Sequence, residues 1–336
     1  MPPPVLAENG FFWVGVERQQ QGEATFATGQ MFARLMVPAE RRHRWPVVMV
    51  HGGGGQGLDW MGTPDGRPGW SDAFLHRGHA VCVVDRPGLG RAPAQGPQTP
   101  PPSYEMMRAR FTAPATRPES YPQARLHTQW PPGEEVLDQF MAGQGPSGAD
   151  LAVVHAGMRR AAAALLDRIG PAVLLTHSAG GAFGWLAADA RPELVRAIVA
   201  IEPIGPPFAA TPTGALRWGL TAAPLTYDPP LADPAELATV PRPAPGPGLR
   251  DCLVQAAPAR RLPNLARCPI AVVTAEASWK AAEDHGVVDY LRQAGATVDH
   301  LRLEQHGLHG NGHMMMLEMN SDAVAALVAG WIEARD

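Results

Sequence analysis

With 336 residues, 45% of them apolar, the chain is long enough for one large domain or two and has the composition of a protein with a full hydrophobic core. A net charge of -4, with no basic block longer than Arg41-Arg42-His43-Arg44, argues against nucleic acid as a partner. No apolar run reaches the roughly 20 residues of a membrane span, and Cys82, Cys252 and Cys268 have neither metal nor redox spacing.

The N-terminal Met1-Pro2-Pro3-Pro4-Val5-Leu6-Ala7-Glu8 has no basic segment and no apolar core of a signal peptide, so a cytoplasmic location is expected. The first strand signals are Phe32 to Val37, which alternates loosely, and the short apolar run Val47 to Val50. Directly after it comes His51-Gly52-Gly53-Gly54-Gly55-Gln56-Gly57. Such a loop lets backbone amides turn onto a ligand, but it lacks the Lys-Ser/Thr ending of a P-loop and the G-x-G-x-x-G spacing of a dinucleotide site. An oxyanion loop following an early strand fits it better. Ala80 to Val84 is the next strand, and Asp85-Arg86 at its end reads as an internal ion pair or loop anchor.

Glycine and proline each occur 36 times and concentrate in two stretches, Ala92 to Gly148 and Pro203 to Pro263. Neither has the periodicity to carry a sheet. Structureless loops of this length are uncommon in compact domains, so both are expected to be lid or cap insertions in a single domain spanning 1–336. Trp60, Trp130, Phe208 and Trp218 are candidates for lining an apolar substrate pocket. Between and beyond the insertions, helical patterns at Leu151 to Ile169, Gly181 to Ala190, Gly286 to Ala294 and Ser321 to Trp331 alternate with strands. These strands are Ala172 to Leu175, Ala197 to Ile201, Ile270 to Val273 and Val298 to Leu303. Short continuous apolar strands alternating with helices predict an α/β fold with a mostly parallel sheet covered on both faces.

The chemistry concentrates at the strand ends. Leu174-Leu175-Thr176-His177-Ser178-Ala179-Gly180-Gly181 is a strand running into a small-residue turn and then a helix, the pattern of a nucleophile elbow, with Thr176 in place of its first glycine. A base for Ser178 belongs on a later loop. His306, His309 and His313 all follow the last strand, and spacing alone does not choose among them; His177, adjacent to the serine on a sharp turn, is a weak candidate. Glu202 and Glu276 end successive strands and Asp284 lies a little further on, so each is a candidate acid. The run Met314-Met315-Met316-Leu317 reads as apolar packing and not as a soft-metal site.

Taken together, several pieces resemble the α/β-hydrolase superfamily and, within it, the serine esterases similar to Alcaligenes esterase 713. They are His51-Gly52-Gly53-Gly54, Met61-Gly62-Thr63-Pro64-Asp65-Gly66-Arg67-Pro68-Gly69-Trp70, Asp85-Arg86-Pro87-Gly88, Thr176-His177-Ser178, Ile201-Glu202-Pro203 and Gly310-Asn311-Gly312-His313. The resemblance runs from about Phe11 to Trp331. It implies an acid after the sixth strand, Glu202, a base at His313, and a possible homodimer. The exported member of that family carries cysteines beside its oxyanion glycine, which this chain lacks.

The expected function is a serine hydrolase cleaving a carboxylic ester or lactone through an acyl-enzyme. Ser178 is the nucleophile, His313 the base and Glu202 its orienting acid, with the N–H groups of Gly53 and Ala179 as oxyanion donors. Acyl transfer, thioester, amide or carbon–carbon cleavage on the same triad, or a non-catalytic small-molecule binder, are the competing readings. A small-molecule substrate is the expected partner, with no nucleic acid, no membrane, no cofactor and no metal.

Overall fold

The computed structural model describes residues 3–94 and 96–336; Met1 and Pro2 of the N-terminal stretch and Gln95 of the first proline-rich stretch lie outside them. Eight strands form one sheet: β1 (Leu6–Val14), β2 (Met31–Pro38), β3 (Val47–Val50), β4 (Val81–Asp85), β5 (Ala172–His177), β6 (Val195–Ile201), β7 (Ile270–Thr274) and β8 (Val298–Arg302). Their order across the sheet is β1-β2-β4-β3-β5-β6-β7-β8. β1 pairs antiparallel with β2, and β2 antiparallel with β4; β3 to β8 run parallel to one another.

The strands sort their side chains with a period of two. Val48, Val50 and Leu174 enter a core with helices α3 (Leu151–Ile169), α4 (Gly181–Ala190) and α5 (Asp284–Gln293), built around Met158, Phe183, Trp185 and Tyr290. Val47, Met49, Val173 and Leu175 enter the opposite core against α1 (Trp70–His76) and α6 (Ser321–Glu333), around Trp70, Phe74 and Val328. Both faces are therefore covered, which is why β3 and β5 read as unbroken apolar runs. Asp150 starts α3, its carboxylate accepting from the Ala152 and Val153 amides at 2.8 and 3.3 Å.

The expected strands and helices are all present, with ends moved by one or two residues. Strand β1 carried no signal because it is an edge strand with most residues exposed on both faces, so nothing imposes alternation. The first proline-rich stretch contains short helical turns and one regular helix, α2 (Glu134–Ala142). The second holds a capped turn at Pro234–Glu236 and short strands at Ala210–Thr211, Gly214–Ala215, Thr239–Arg242 and Cys252–Gln255.

Candidate active site

Ser178 leaves β5 with a φ of +52°, a left-handed conformation that a non-glycine residue holds only when its surroundings enforce it. The following glycines permit close approach: a Cβ on Gly180 would stand 2.3 Å from the His51 carbonyl oxygen, and one on Gly181 2.6 Å from Pro203 Cβ. Gly180 itself has a φ of -72°, so it is required for space and not for a special backbone angle. Thr176, where the motif has its first glycine, is tolerated because its side chain points into the core; its hydroxyl lies 3.5 Å from the Val199 carbonyl.

The glycine loop after β3 lies against this turn. A Cβ on Gly52 would be 3.1 Å from that of Ser178, and one on Gly53 would be 3.4 Å from that of Ala179, so the two expected oxyanion backbones are neighbours. Buried polar contacts hold the loop. Arg86 donates from its guanidinium to the Gly52 carbonyl at 2.5 Å and from its backbone to His51 Nε2 at 3.1 Å. Asp85 accepts from the Gly57 amide at 2.6 Å, and from the Arg91 amide and Nε at 2.8 and 2.6 Å. Of the two readings of Asp85-Arg86, the loop anchor holds and the mutual ion pair does not, since Asp85 pairs with Arg91. Arg91 reaches back to Asp85, whereas the Arg86 guanidinium is spent on the Gly52 carbonyl.

Of the three late histidines, only His313 reaches the serine's end of the sheet. Its Nδ1 lies 2.5 Å from Glu202 Oε2, and both residues are buried. His306 is exposed, and His309 is exposed and faces Glu276 at 3.1 Å. Glu276 also caps the Gly310 amide at 2.8 Å, and Asp284 pairs with Lys280 at 3.0 Å, so neither is available to His313. Glu202 further accepts from the Ala275 amide at 2.8 Å and the Ser278 hydroxyl at 2.7 Å. Burial pushes its carboxyl up to about 8, against the pull of these two donors and of the nearby Lys280 charge. Burial, with the Lys280 and Arg110 charges, holds His313 well below the ordinary imidazole range, so the imidazole is neutral and able to accept a proton.

Two further buried groups fix the histidine loop. His177 Nε2 donates to the His313 carbonyl at 3.0 Å, which ties the serine turn to the loop that carries His313. Glu318, fully buried, accepts from His127 at 2.9 Å, Asn311 at 2.7 Å and the Gly312 amide at 2.8 Å. Arg67 donates to the carbonyls of Leu317, Glu318 and Met319, each at 3.1 Å, which gives the Met61–Trp70 segment its structural purpose. Glu318 carried no signal in the sequence; the one usable cue was an isolated acid inside the apolar run that follows His313.

Ser178 and His313 open onto a cavity of about 300 Å³ whose apolar wall includes Met107, Phe111, Phe140, Trp279 and Met314. The Trp279 and Phe111 rings lie 4.4 and 5.4 Å from the His313 ring and close off its face. None of the four aromatic residues expected in the pocket lines it. Trp60 is buried against Trp70 at 5.6 Å, Trp130 packs behind Phe140 at 5.1 Å, and Phe208 rests on Tyr290 at 5.5 Å. Trp218 belongs to the core cluster of Trp185 and Tyr290. Large apolar rings at these places fill interior volume, and proline-rich surroundings do not tell a pocket from a core. The second stretch contributes no residue to the cavity wall, whereas the first supplies about half of it. Among the described residues the one group of side chains spaced for a metal is His43, His79 and Glu333, but Arg77 already holds Glu333 through both carboxylate oxygens and Asp336 holds His43.

The family profile of the α/β hydrolase fold matches residues 46–219. The chain belongs to the α/β-hydrolase family and resembles its serine esterases. The probable secreted lipase phiG of Fungal sp. (strain ATCC 74256) is 38% identical to it, over 96% of this chain and 89% of that protein. Among solved structures, a bacterial esterase superposes with a TM-score of 0.63 at 21% identity, covering 100% of this chain and 98% of the other, a likeness of fold.

Proposed function

We propose that the protein is a serine hydrolase that cleaves a carboxylic ester or lactone of modest size. The observation that carries this reading is the meeting of a strained, cavity-facing Ser178 with a buried His313–Glu202 pair. In the proposed reaction His313 Nε2 takes the Ser178 proton as Oγ attacks the carbonyl carbon. Glu202 holds the Nδ1–H tautomer and stabilises the imidazolium. The Gly53 and Ala179 amides receive the oxyanion, each worth roughly 3 kcal/mol in the transition state. The alcohol leaves with the proton from His313, and a water deprotonated by the same imidazole releases the acid from Ser178.

The lipase and esterase names of the similar proteins support ester cleavage over the other reactions open to this triad. A cavity of about 300 Å³ sits at the small end of ligand pockets and favours a compact substrate. Hydrolysis of short p-nitrophenyl esters and a lactone panel tests the reading: Ser178→Ala should lower kcat by at least about 10⁴-fold with an unchanged melting temperature. Full activity in that variant would overturn it. The cytoplasmic placement, which rests on three buried free cysteines, is tested by fractionation of cells expressing the full chain.

A further inference from the structure

The wall of the catalytic cavity carries one permanent cation. Arg110, from the first proline-rich stretch, lines the cavity together with Ser178 and His313. Its guanidinium lies 4.1 Å from the centre of the Trp279 ring, which also packs on the His313 imidazole at 4.4 Å. Among the described residues no carboxylate pairs with Arg110, and its guanidinium takes part in no hydrogen bond. Glu283 acts on the Arg110 charge without a direct contact, and Lys280 Nζ, which sits between Glu283 at 2.8 Å and Asp284 at 3.0 Å, offsets part of that cluster's charge. The one carboxyl among the residues lining the cavity, Asp59, is buried, burial pushes it up to about 7, and its charge partners are Asp85 and Arg86. An arginine that is stacked on an aromatic face keeps all its in-plane donors free, and that fork matches a carboxylate.

Resting on the reading of this cavity as an ester-hydrolysing site, we infer that Arg110 binds a carboxylate carried by the substrate, so that the preferred substrates are half-esters of small dicarboxylic acids. The guanidinium stands one indole away from the catalytic imidazole. A compact substrate therefore spans from Arg110 to Ser178 with its free carboxylate on the arginine and its ester carbonyl at the serine. Water is consumed, one ester C–O bond breaks, and the products are a dicarboxylate and an alcohol. The lone cation also sets the limit on the other side: an ester carrying an ammonium group at that position meets Arg110 unfavourably.

The test compares monoethyl adipate with diethyl adipate, and measures binding of monoethyl adipate to the Ser178→Ala variant by calorimetry. The wild-type enzyme should favour the half-ester in kcat/KM, with the difference in KM. Arg110→Gln should erase about 10- to 100-fold of that preference, and Arg110→Lys should retain part of it. Raised salt should narrow the preference in the wild type and leave Arg110→Gln indifferent. Hydrolysis of both esters with equal efficiency, or a preference that survives Arg110→Gln, overturns the inference and leaves ester hydrolysis standing. Arg110-dependent binding of the half-ester without turnover of either ester upholds the carboxylate site and overturns the hydrolase reading. Neither binding nor turnover overturns both.

Discussion

Residues 92–148 and 203–263 look alike in sequence, both rich in proline and poor in periodic apolar positions, yet they take different places in the fold. The first crosses the mouth of the site. Its Thr128 amide donates to the Gly310 carbonyl at 3.0 Å, its His127 reaches the buried Glu318, and its Gly145 amide meets the Gly54 carbonyl at 2.7 Å. A Cβ on Gly310 would stand 2.0 Å from Thr128 Oγ1, so the histidine loop and this insertion close on each other with no spare room. The second instead extends the core behind the sheet, with Tyr227 and Tyr290 hydroxyls 2.6 Å apart and the Thr226 amide donating to Asp189 at 3.0 Å. Composition tells where the chain leaves the sheet. Which way the departing segment turns is decided by a few buried polar partners, and those are distant in sequence.

The comparison is broken most directly at His127. His127→Ala withdraws a donor from a buried carboxylate and loosens the loop that carries His313, so kcat/KM should fall about 100-fold. Initial rates alongside a thermal melt check this, and an unchanged kcat/KM would show that the first stretch is a bystander. A smaller effect is expected at Ser278, which lies in neither stretch and touches Glu202 directly. The active form needs Glu202 as the carboxylate, and its raised pKa of about 8 means that activity should climb with pH through neutrality toward that value. Removing the hydroxyl in Ser278→Ala disfavours the carboxylate further, so the rising limb of the pH profile should move to higher pH, costing about tenfold at pH 7. The limb belongs to the Glu202–His313 pair and not to either group alone. A merely structural defect would lower the whole profile without moving its midpoint. The smallest effect is predicted for Tyr227→Phe in the second stretch. It should lower stability by about 1 kcal/mol and leave kcat/KM within about twofold, read by denaturant melts and rates on the same preparation. A large loss of activity there would erase the contrast between the two stretches.

Much of the parallel sheet was legible because burial on both faces leaves runs such as Val47–Val50 with no polar interruption. The nucleophile was legible for a related reason: a reactive serine at a strand end needs small neighbours, and Ala179, Gly180 and Gly181 supply them. Choosing His313 and Glu202 over His309 and Glu276 required family resemblance, since each acid follows a strand end and each histidine follows the last strand, and in fact both pairs form contacts, one buried and one exposed. The pocket wall was not legible. Phe111, Phe140 and Trp279 differ from Trp130, Phe208 and Trp218 only in which partner each ring faces, and no local pattern encodes that. Ser278 and Glu318 were hidden for the same reason, because Glu202 and His127, which they meet, lie far away along the chain.

The account stands on Ser178 being activated by His313. Incubation with a fluorophosphonate, followed by peptide mass mapping of the adduct in the wild-type chain and in His313→Ala, tests this without knowledge of the substrate. The account predicts a single adduct on Ser178 that disappears in the variant while the fold melts as before. A folded wild-type protein that takes up no label, or a variant that labels as fast, would contradict it.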